Sequence, residues 1–478
     1  MTEICEAGAR TLARWIRTRR LSATEAMRAF IARIERANPL VNAIVTFVPE
    51  RALAAARTLD RALARRGHRT PGLLAGLPIA YKDLVPTRGI RTTFGSLVYR
   101  DHVPREDALL VERLAAAGAI TIGKTNTPEF GAGGQTFNRV FGATRNPYDL
   151  TKTAGGSSGG AAAAVACGML PFADGSDLAA SLRNPASFCN VVGFRPSPGR
   201  VPVYPAPDGW DTLAVAGPIA RSVADCAFLL AAMAGADARA PLSISEPGAR
   251  FLRPLGRDFR GVRVAWSRDL GGLPMDARVL DALAPARRTF EDLGCIVEDA
   301  CPDFSGATEA FETLRALSFA QRYAPLLAAH RDKLKETVAW NIEQGLALGG
   351  AQVARALALR TELFHRVRRF FEKYAFLACP TSPVPPFPVE EEYPREIGGV
   401  AMTNYLDWMK SCYFIALTGH PAISVPAAFT ADSPPLPVGL QIVGRHRDDF
   451  GVLALAHAFE RARRAGARRP TLPSAAGP

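Results

Sequence analysis

Short apolar segments alternate with helical segments along most of this 478-residue chain, and this alternation limits the folds open to it. The segments LPIAYKDLV, AITIGKT, LPFADGSDL and CNVVGFRPS have the length and apolar content of buried strands. Later come GVRVAWS, CIVEDA, FLACPTS, AISVPAAF and VGLQIVG, separated by long helical segments. This pattern predicts a layered α/β fold with a mostly parallel, buried sheet.

The domain is predicted to span residues 1–478. Helices are expected at 22–37, 49–67, Glu106–Ala117, Ser158–Cys167 and Val223–Ala234. The region from about 302 to 374 is helical and rich in aromatic residues, which pack either as ordinary core or as a lid over a site. The proline-rich segment Pro380–Pro388 is interpreted as a rigid loop within the domain, because strand-like sequence resumes beyond it.

Composition and charge disfavour several classes of function. The net charge is +13, but the basic residues are spread along amphipathic segments such as ARWIRTRR, which does not favour nucleic-acid binding. The eight cysteines contain no C-x-x-C pair, so neither a zinc site nor a disulfide framework is indicated. No segment has the pattern of a membrane span or a signal peptide, so a cytoplasmic protein is expected.

The segment TAGGSSGGAAAAVACG places Ser157 and Ser158 between two pairs of glycines. It lacks the Gly-Lys-Ser/Thr of a phosphate-binding loop and the spacing of a dinucleotide fingerprint, and it continues into an apolar run that a linker would not contain. The remaining interpretation is a backbone bent tightly around a reacting serine, which needs a base to activate it. No local motif ties any of the seven histidines to these serines, so the base is not predicted to be histidine.

Several segments, in the same order, resemble the amidase signature family of serine hydrolases. GGSSGG and GSDLAASLRNPASFCNVVGFRPSPGRVP resemble its signature block, and GLPIAYKDLVPTRGIRTTFGS resembles its lysine-bearing strand and turn. IGKTNTPEFGAGG, FGATRNPYD, LTGHPAISVP and LPVGLQIVGR fit the family as well. The resemblance runs from about Leu21 to Arg461 and implies the amidase signature fold. This is expected to be a single α/β/α domain with a central mixed, mostly parallel sheet flanked by helices, with a signature core at about 76–200.

The resemblance implies a Ser–Ser–Lys catalytic triad. Ser181 matches the nucleophile, Ser157 the bridging serine in a cis peptide bond, and Lys82 the base. Lys82 must be neutral to accept a proton, and burial can lower the pKa of a lysine far enough. From local sequence alone, the competing interpretation is an ion pair of Lys82 with Asp83 or another carboxylate.

The resemblance also implies an oxyanion hole made of backbone N–H groups. These groups belong to Leu178, Ala179, Ala180 and Ser181. The family usually has glycines in place of Ala179 and Ala180. Alanine keeps the N–H donor but disfavours a positive φ and adds a methyl group, which would favour flat or slender acyl groups if it lines the pocket. Asp177 and Arg183 are expected to support this turn by hydrogen bonding.

The implied function is hydrolysis of a carboxylic amide, or of a related aryl ester or carbamate (urethane), through an acyl-enzyme and without a metal or organic cofactor. One alternative is an A-type amidotransferase subunit that generates ammonia from glutamine for a partner subunit. A catalytically inactive binding protein is disfavoured, because all three triad positions are present. Substrate contacts are expected from Gly131, the 302–374 region and Tyr413. The expected partner is a small-molecule substrate, with neither nucleic acid nor membrane, and a homodimer is left open.

Overall fold

The fold was analysed in a computed structural model that describes residues 2–65 and 71–473. The helices of the described residues are α1 Thr2–Glu6, α2 Ala9–Arg17, α3 Ala23–Val41, α4 Pro49–Ala64, α5 Leu109–Ala116, α6 Gly159–Ala166, α7 Arg183–Phe188, α8 Val223–Met233, α9 Ala277–Leu283, α10 Ala286–Asp292, α11 Ala307–His330, α12 Glu336–Leu346, α13 Gly350–Lys373, α14 Lys410–Thr418 and α15 Asp449–Arg463. The strands are β1 Ile44–Phe47, β2 Pro78–Lys82, β3 Ile120–Thr125, β4 Phe137–Asn138, β5 Gly142–Ala143, β6 Arg145–Asn146, β7 Asp149–Thr153, β8 Phe172–Asp177, β9 Val192–Arg195, β10 Val215–Ala220, β11 Arg263–Trp266, β12 Ile296–Asp299, β13 Phe376–Pro380, β14 Glu396–Ile397, β15 Val400–Ala401, β16 Ala422–Phe429 and β17 Pro437–Gly444.

An eight-stranded mixed sheet forms the centre of the fold, in the order β12-β11-β13-β17-β16-β9-β10-β8. The α/β class and the mixed sheet flanked by helices are confirmed, but the expectation of mostly parallel strands needs correction. Only the pairs β12–β11 and β11–β13 are parallel, and every other neighbouring pair is antiparallel. Strands such as β16 and β17 are buried along almost their whole length. This burial gives antiparallel strands the same continuous apolar pattern that parallel strands show.

Two of the predicted strands, β2 and β3, belong to a separate three-stranded sheet in the order β1-β3-β2. β2 runs parallel to β3 and packs against β8, the last strand of the large sheet. This packing brings Lys82, at the end of β2, against β8. The sequence did not predict β10, because its glycine and proline obscure a strand pattern.

The predicted helices are present with small differences at their ends. Ser22 caps α3 through a capping box with Glu25, as the sequence indicates. α4 ends at Ala64, and residues 66–67 of its predicted extent lie outside the described residues. The 302–374 region forms α11, α12 and α13. No helix among residues 2–65 and 71–473 combines the length and the apolar content that crossing a membrane requires.

The glycines around Ser157 and Ser158 allow close packing of backbone on backbone. Gly155 has a φ of +74°, in the left-handed region that favours glycine. α6 begins at Gly159 and packs so closely that a Cβ atom on Gly160 would lie 2.4 Å from the backbone nitrogen of Asn126. Glycine is therefore required here by contact distance as well as by conformation.

Gly160→Ala is expected to lower the free energy of unfolding by about 1–3 kcal/mol, because the added methyl overlaps the Asn126 backbone. Gly350→Ala is the matched control, since Gly350 also lies in the first turn of a helix but has nothing within 4 Å of its Cβ position. The control should be neutral or slightly stabilising. Urea unfolding followed by circular dichroism measures both, and equal stability of the two variants would contradict the expectation.

Candidate active site

The amino group of Lys82 is the centre of the site. The residue is fully buried, and its Nζ donates hydrogen bonds to three hydroxyl oxygens. These are Ser157 Oγ at 2.7 Å, Ser158 Oγ at 2.9 Å and Ser176 Oγ at 3.0 Å. Lys82 has no carboxylate within ion-pair distance among the described residues. The structure therefore joins two of the three predicted triad residues directly, through the Lys82–Ser157 hydrogen bond.

The electrostatic setting favours a lysine that can lose its proton. Burial lowers the pKa of Lys82 to about 7, although the negative charges of Asp174 and Asp177 act in the opposite direction. At pH 7 about half of such lysines are neutral. The alternative ion pair with Asp83 does not form, because the Asp83 carboxylate instead accepts hydrogen bonds from the backbone N–H and the hydroxyl of Thr93.

Asp174 is a buried carboxylate on β8, close to Lys82. Its Oδ1 accepts the backbone N–H of Lys82 at 3.1 Å, and its Oδ2 has no hydrogen-bond partner among the described residues. Burial raises the pKa of Asp174 to about 6, and the positive charges of Lys124 and Lys82 act against this rise. Asp174 therefore holds the Lys82 backbone while it stabilises the protonated amino group from a distance.

Ser157 precedes α6, and the peptide bond between Gly156 and Ser157 is cis. Gly131, a predicted substrate contact, lies beside it: a Cβ atom on Gly131 would be 3.5 Å from Ser157 Oγ. Gly131 and Ser157 both line a cavity of about 550 Å³. The turn at Gly131 thus leaves space directly over the hydroxyl that bonds Lys82.

Ser181 follows β8 and lines the same cavity, with 9% of its surface exposed. Its carbonyl oxygen accepts the backbone N–H of Ser158 at 3.3 Å, which ties the two serine segments together. The hydroxyls of Ser181 and Ser157 share no hydrogen bond in this structure. Hydrogen bonds between catalytic groups are often long without substrate and shorten when it binds.

The turn before Ser181 presents unpaired donors. Four consecutive backbone N–H groups of this turn have no acceptor among the described residues. They belong to Leu178, Ala179, Ala180 and Ser181. Neither alanine has a positive φ, so the replacement of glycine introduces no backbone strain. Both alanines are buried in the same hydrophobic cluster, but only Ala179 also lines the cavity. Only one of the two alanines therefore bears on the shape of the pocket.

Hydrogen bonds to the buried Asp177 carboxylate hold the turn that precedes Ser181. The carboxylate accepts the backbone N–H of Leu182 and a two-point hydrogen bond from the Arg183 guanidinium, with both N–O distances 3.0 Å. Burial alone would raise the pKa of Asp177, but Arg183 and Arg195 more than offset it and hold the pKa at about 2. The expectation that Asp177 and Arg183 support the turn is confirmed.

Tyr413, the other predicted substrate contact, does not line the cavity. It is fully buried, and its ring stacks on Phe311 at a centroid distance of 4.0 Å. The prediction is therefore corrected: Tyr413 is a packing residue between α11 and α14. One wall of the cavity is formed instead by a face of α11. The side chains that α11 presents there are spaced at helical periodicity: Arg315, Ser318, Phe319, Arg322 and Tyr323.

Three members of the Lys82 environment were not predicted from the sequence, namely Ser158, Ser176 and Asp174. A signal for two of them was present, because Asp174 and Ser176 are two residues apart on β8 and so point to the same face of the sheet. The proximity of β8 to β2 could not be read from the sequence. No group of three His, Cys, Asp or Glu residues suited to a metal ion occurs in the described part of the chain.

Known proteins resemble this chain over most of its length. A profile of the Amidase family matches residues 25–453. An acylamidase of Rhodococcus erythropolis is 37% identical over 453 residues, which cover 94% of each chain. The A-type subunit of the glutamyl-tRNA(Gln) amidotransferase of Moorella thermoacetica is 37% identical over 476 residues, covering 95% of this chain and 96% of its own.

Among solved structures, a bacterial aryl acylamidase of the amidase signature enzymes superposes with a TM-score of 0.90 at 29% identity, covering 97% of this chain and 99% of that one. The fold and these similarities define an enzyme that hydrolyses the C–N bond of amides. The chain belongs to the amidase signature family.

The kcat/KM for an uncharged amide is expected to rise with pH through the pKa of Lys82, near 7, because only the neutral lysine can accept a proton. Asp174→Asn should move this rise to lower pH by roughly half to one unit, since it removes a negative charge that favours the protonated lysine.

Asp83→Asn is the control for this shift. Asp83 is a buried carboxylate that follows Lys82 in the sequence, but it accepts hydrogen bonds from Thr93 and none from Lys82. The pH profile of this variant should match that of the parent enzyme. Profiles of kcat/KM between pH 5 and 9 measure all three proteins. An unmoved profile for Asp174→Asn would show that Asp174 does not act on Lys82.

Proposed function

We propose that this enzyme hydrolyses N-acyl amides with flat, apolar groups, such as anilides, through an acyl-enzyme on Ser181. The observation that carries the proposal is the buried Lys82 amino group, which bonds Ser157 Oγ beneath a cavity that Ser181 also lines. A lysine with a pKa near 7 can serve as a base at neutral pH. The acylamidase relatives support the same class of substrate.

The proposed reaction begins with neutral Lys82. Lys82 takes the proton of Ser157 while Ser157 takes the proton of Ser181, and Ser181 Oγ attacks the carbonyl carbon of the amide. The unpaired N–H groups of the turn before Ser181 stabilise the negative charge that forms on the carbonyl oxygen. As the C–N bond breaks, the same groups return the proton to the leaving amine. Water then hydrolyses the ester on Ser181, and Lys82 is neutral again.

The cavity favours planar, apolar groups on the substrate. Its lining includes the aromatic residues Phe94, Tyr99, Phe130, Tyr204, Phe319 and Tyr323. The rings of Phe130 and Tyr323 stack at a centroid distance of 4.4 Å, so they pack as one aromatic unit in the cavity wall. Aryl esters and carbamates present the same planar carbonyl, and we include them as further substrates of the same serine.

The alternative is an amidotransferase subunit, which the 37% identity to the Moorella thermoacetica protein favours. Such a protein would release ammonia from glutamine and bind a partner subunit. Two assays separate the alternatives: ammonia release from glutamine by the isolated chain, and co-purification of a stoichiometric partner. Anilide hydrolysis by the chain alone, without either, supports the stand-alone hydrolase.

Ser181→Ala is expected to abolish both turnover and labelling by a fluorophosphonate probe, because Ser181 is the proposed nucleophile. Ser157→Ala and Lys82→Met should each lower kcat by about three orders of magnitude or more, and the double variant should be little worse than either, since relay members act as a unit. Peptide mapping of the label and steady-state kinetics provide the measurement.

Ser158→Ala is the matched control for the relay. Ser158 also accepts a hydrogen bond from Lys82, but it takes no part in the proton transfer of the proposed mechanism. The substitution should lower kcat only about tenfold or less. A label on a serine other than Ser181, or additive losses for Ser157 and Lys82, would contradict the proposed roles.

Ala179→Gly is expected to raise kcat/KM for wide acyl groups relative to narrow ones, because Ala179 lines the cavity. Ala180→Gly should keep the parent's ranking and only lose about 0.5–1 kcal/mol of stability, because Ala180 is buried in the core and does not line the cavity. A series of 4-nitroanilides with acyl groups of increasing width measures the ranking. An identical ranking for parent and Ala179→Gly would show that the Ala179 methyl group does not limit the pocket.

A further inference from the structure

Arg315 lines the cavity without a carboxylate partner. It lies on α11 and is only 4% exposed. Its Nε and Nη2 atoms both donate to a single neutral oxygen, Tyr405 Oη, at 3.2 and 2.8 Å. Its Nη1 has no acceptor, and the guanidinium no ion-pair partner, among the described residues. A guanidinium has five N–H donors, so most of its hydrogen-bonding capacity is unused.

The neighbouring charges are already paired. Arg322, about two turns further along α11, bonds Asp211 at 2.6 Å. Lys335 bonds Glu392 at 2.6 Å. Neither carboxylate therefore compensates the charge of Arg315. Apart from the catalytic Lys82, Arg315 is the one Lys or Arg of the described cavity lining that has no carboxylate partner.

The guanidinium is held in a fixed orientation. Its Cζ lies 4.6 Å from the centroid of the Phe319 ring, a distance at which a cation interacts favourably with an aromatic face. Tyr405 Oη also accepts a hydrogen bond from Asn341 Nδ2 at 2.5 Å, so this oxygen is shared among three donors and cannot neutralise the arginine. A buried charge with so few partners is costly unless a ligand completes its environment.

A series of aromatic contacts connects Arg315 to the catalytic serines. Gly131 lies beside Ser157, and the next residue back, Phe130, stacks on Tyr323. Tyr323 contacts Phe319 edge-on at 5.5 Å, and Phe319 carries the Arg315 guanidinium on its face. A substrate that extends along this wall from the reacting carbonyl reaches a positive charge at its end.

We propose that Arg315 binds a carboxylate on the substrate, so that the enzyme prefers amides whose apolar portion ends in an anionic group. The proposal rests on the proposed amide hydrolysis at Ser181. A guanidinium matches the two oxygens of a carboxylate with parallel hydrogen bonds, and this pairing is strong where water is excluded. The aromatic wall packs against the apolar segment between the scissile bond and the carboxylate.

The test compares matched pairs of anilides that differ only in charge. In one series the carboxylate is on the acyl side, as in the mono-4-nitroanilides of glutaric and adipic acids. In the other it is on the amine side, as in N-butyryl-3-aminobenzoic and N-butyryl-4-aminobenzoic acids. Each acid is paired with its uncharged N,N-dimethylamide. The readout is the ratio of kcat/KM for the acid to kcat/KM for its partner.

The parent enzyme should prefer the acid by about tenfold or more in at least one series, chiefly through a lower KM. Arg315→Met should bring that ratio close to one. Arg315→Lys, which keeps the charge but loses the two-point geometry, should give an intermediate ratio. Thermal unfolding and fluorophosphonate labelling of Ser181 establish that the variants are folded. If Arg315→Met does not fold, the comparison of Arg315→Lys with the parent enzyme decides the test.

Arg360→Met is the matched control, because Arg360 is a partly buried arginine that donates to Leu417 O and Thr212 Oγ1 and does not line the cavity. It should retain the parent's ratio. A ratio near one for the parent in both series, or a ratio that Arg315→Met leaves unchanged, would overturn the proposal.

Titration calorimetry separates this proposal from the proposed hydrolysis. The parent protein should bind 4-phenylbutyrate more tightly than 4-phenylbutanamide, and Arg315→Met should lose that difference. If no anilide is hydrolysed but this difference is found, the carboxylate site stands and the hydrolytic function fails. If anilides are hydrolysed without any preference for acids and without this difference, the hydrolytic function stands and the carboxylate site fails.

Discussion

The desolvation of Lys82 is the constraint on which the rest of the site depends. A lysine amino group removed from water loses the hydration that stabilises its charge, and the three serine hydroxyls around it only partly replace that hydration. The nearby carboxylates of Asp174 and Asp177 remain outside ion-pair distance, so they moderate the pKa without fixing the proton on Lys82. Had either formed a direct ion pair, the lysine would stay charged and could not act as a base.

Candidate site residues could be identified from the sequence where they lie within contiguous motifs. Lys82, Ser157 and Ser181 each lie in a segment that resembles the family, and the structure brings Lys82 and Ser157 into a hydrogen bond while Ser181 lines the same cavity. The fold class was predictable for a related reason. Long amphipathic helices and buried strands have periodicities that do not depend on what they pack against.

Strand orientation and contacts between distant residues could not be predicted from the sequence, because they depend on which elements pack together. The orientation of the strands could not be read from apolar segments that are buried on both faces. Asp174 acts on Lys82 only because β8 packs against β2, across 92 residues of chain. Tyr413 was expected at the site, but stacking on Phe311 places it in the core. Each of these outcomes is decided by tertiary packing, which local pattern does not encode.

The α11 face has a consequence for how this enzyme can diversify. Residues 78–181 contain the proposed base, the serines and the turn, and they are held by backbone contacts as close as the one at Gly160. One wall of the cavity comes from α11, more than a hundred residues later in the chain. The proposed catalytic groups and this wall of the cavity are thus encoded in separate stretches of the gene. Substitutions on one helix face can therefore change the shape and charge of that wall without altering the residues of the proposed catalytic site.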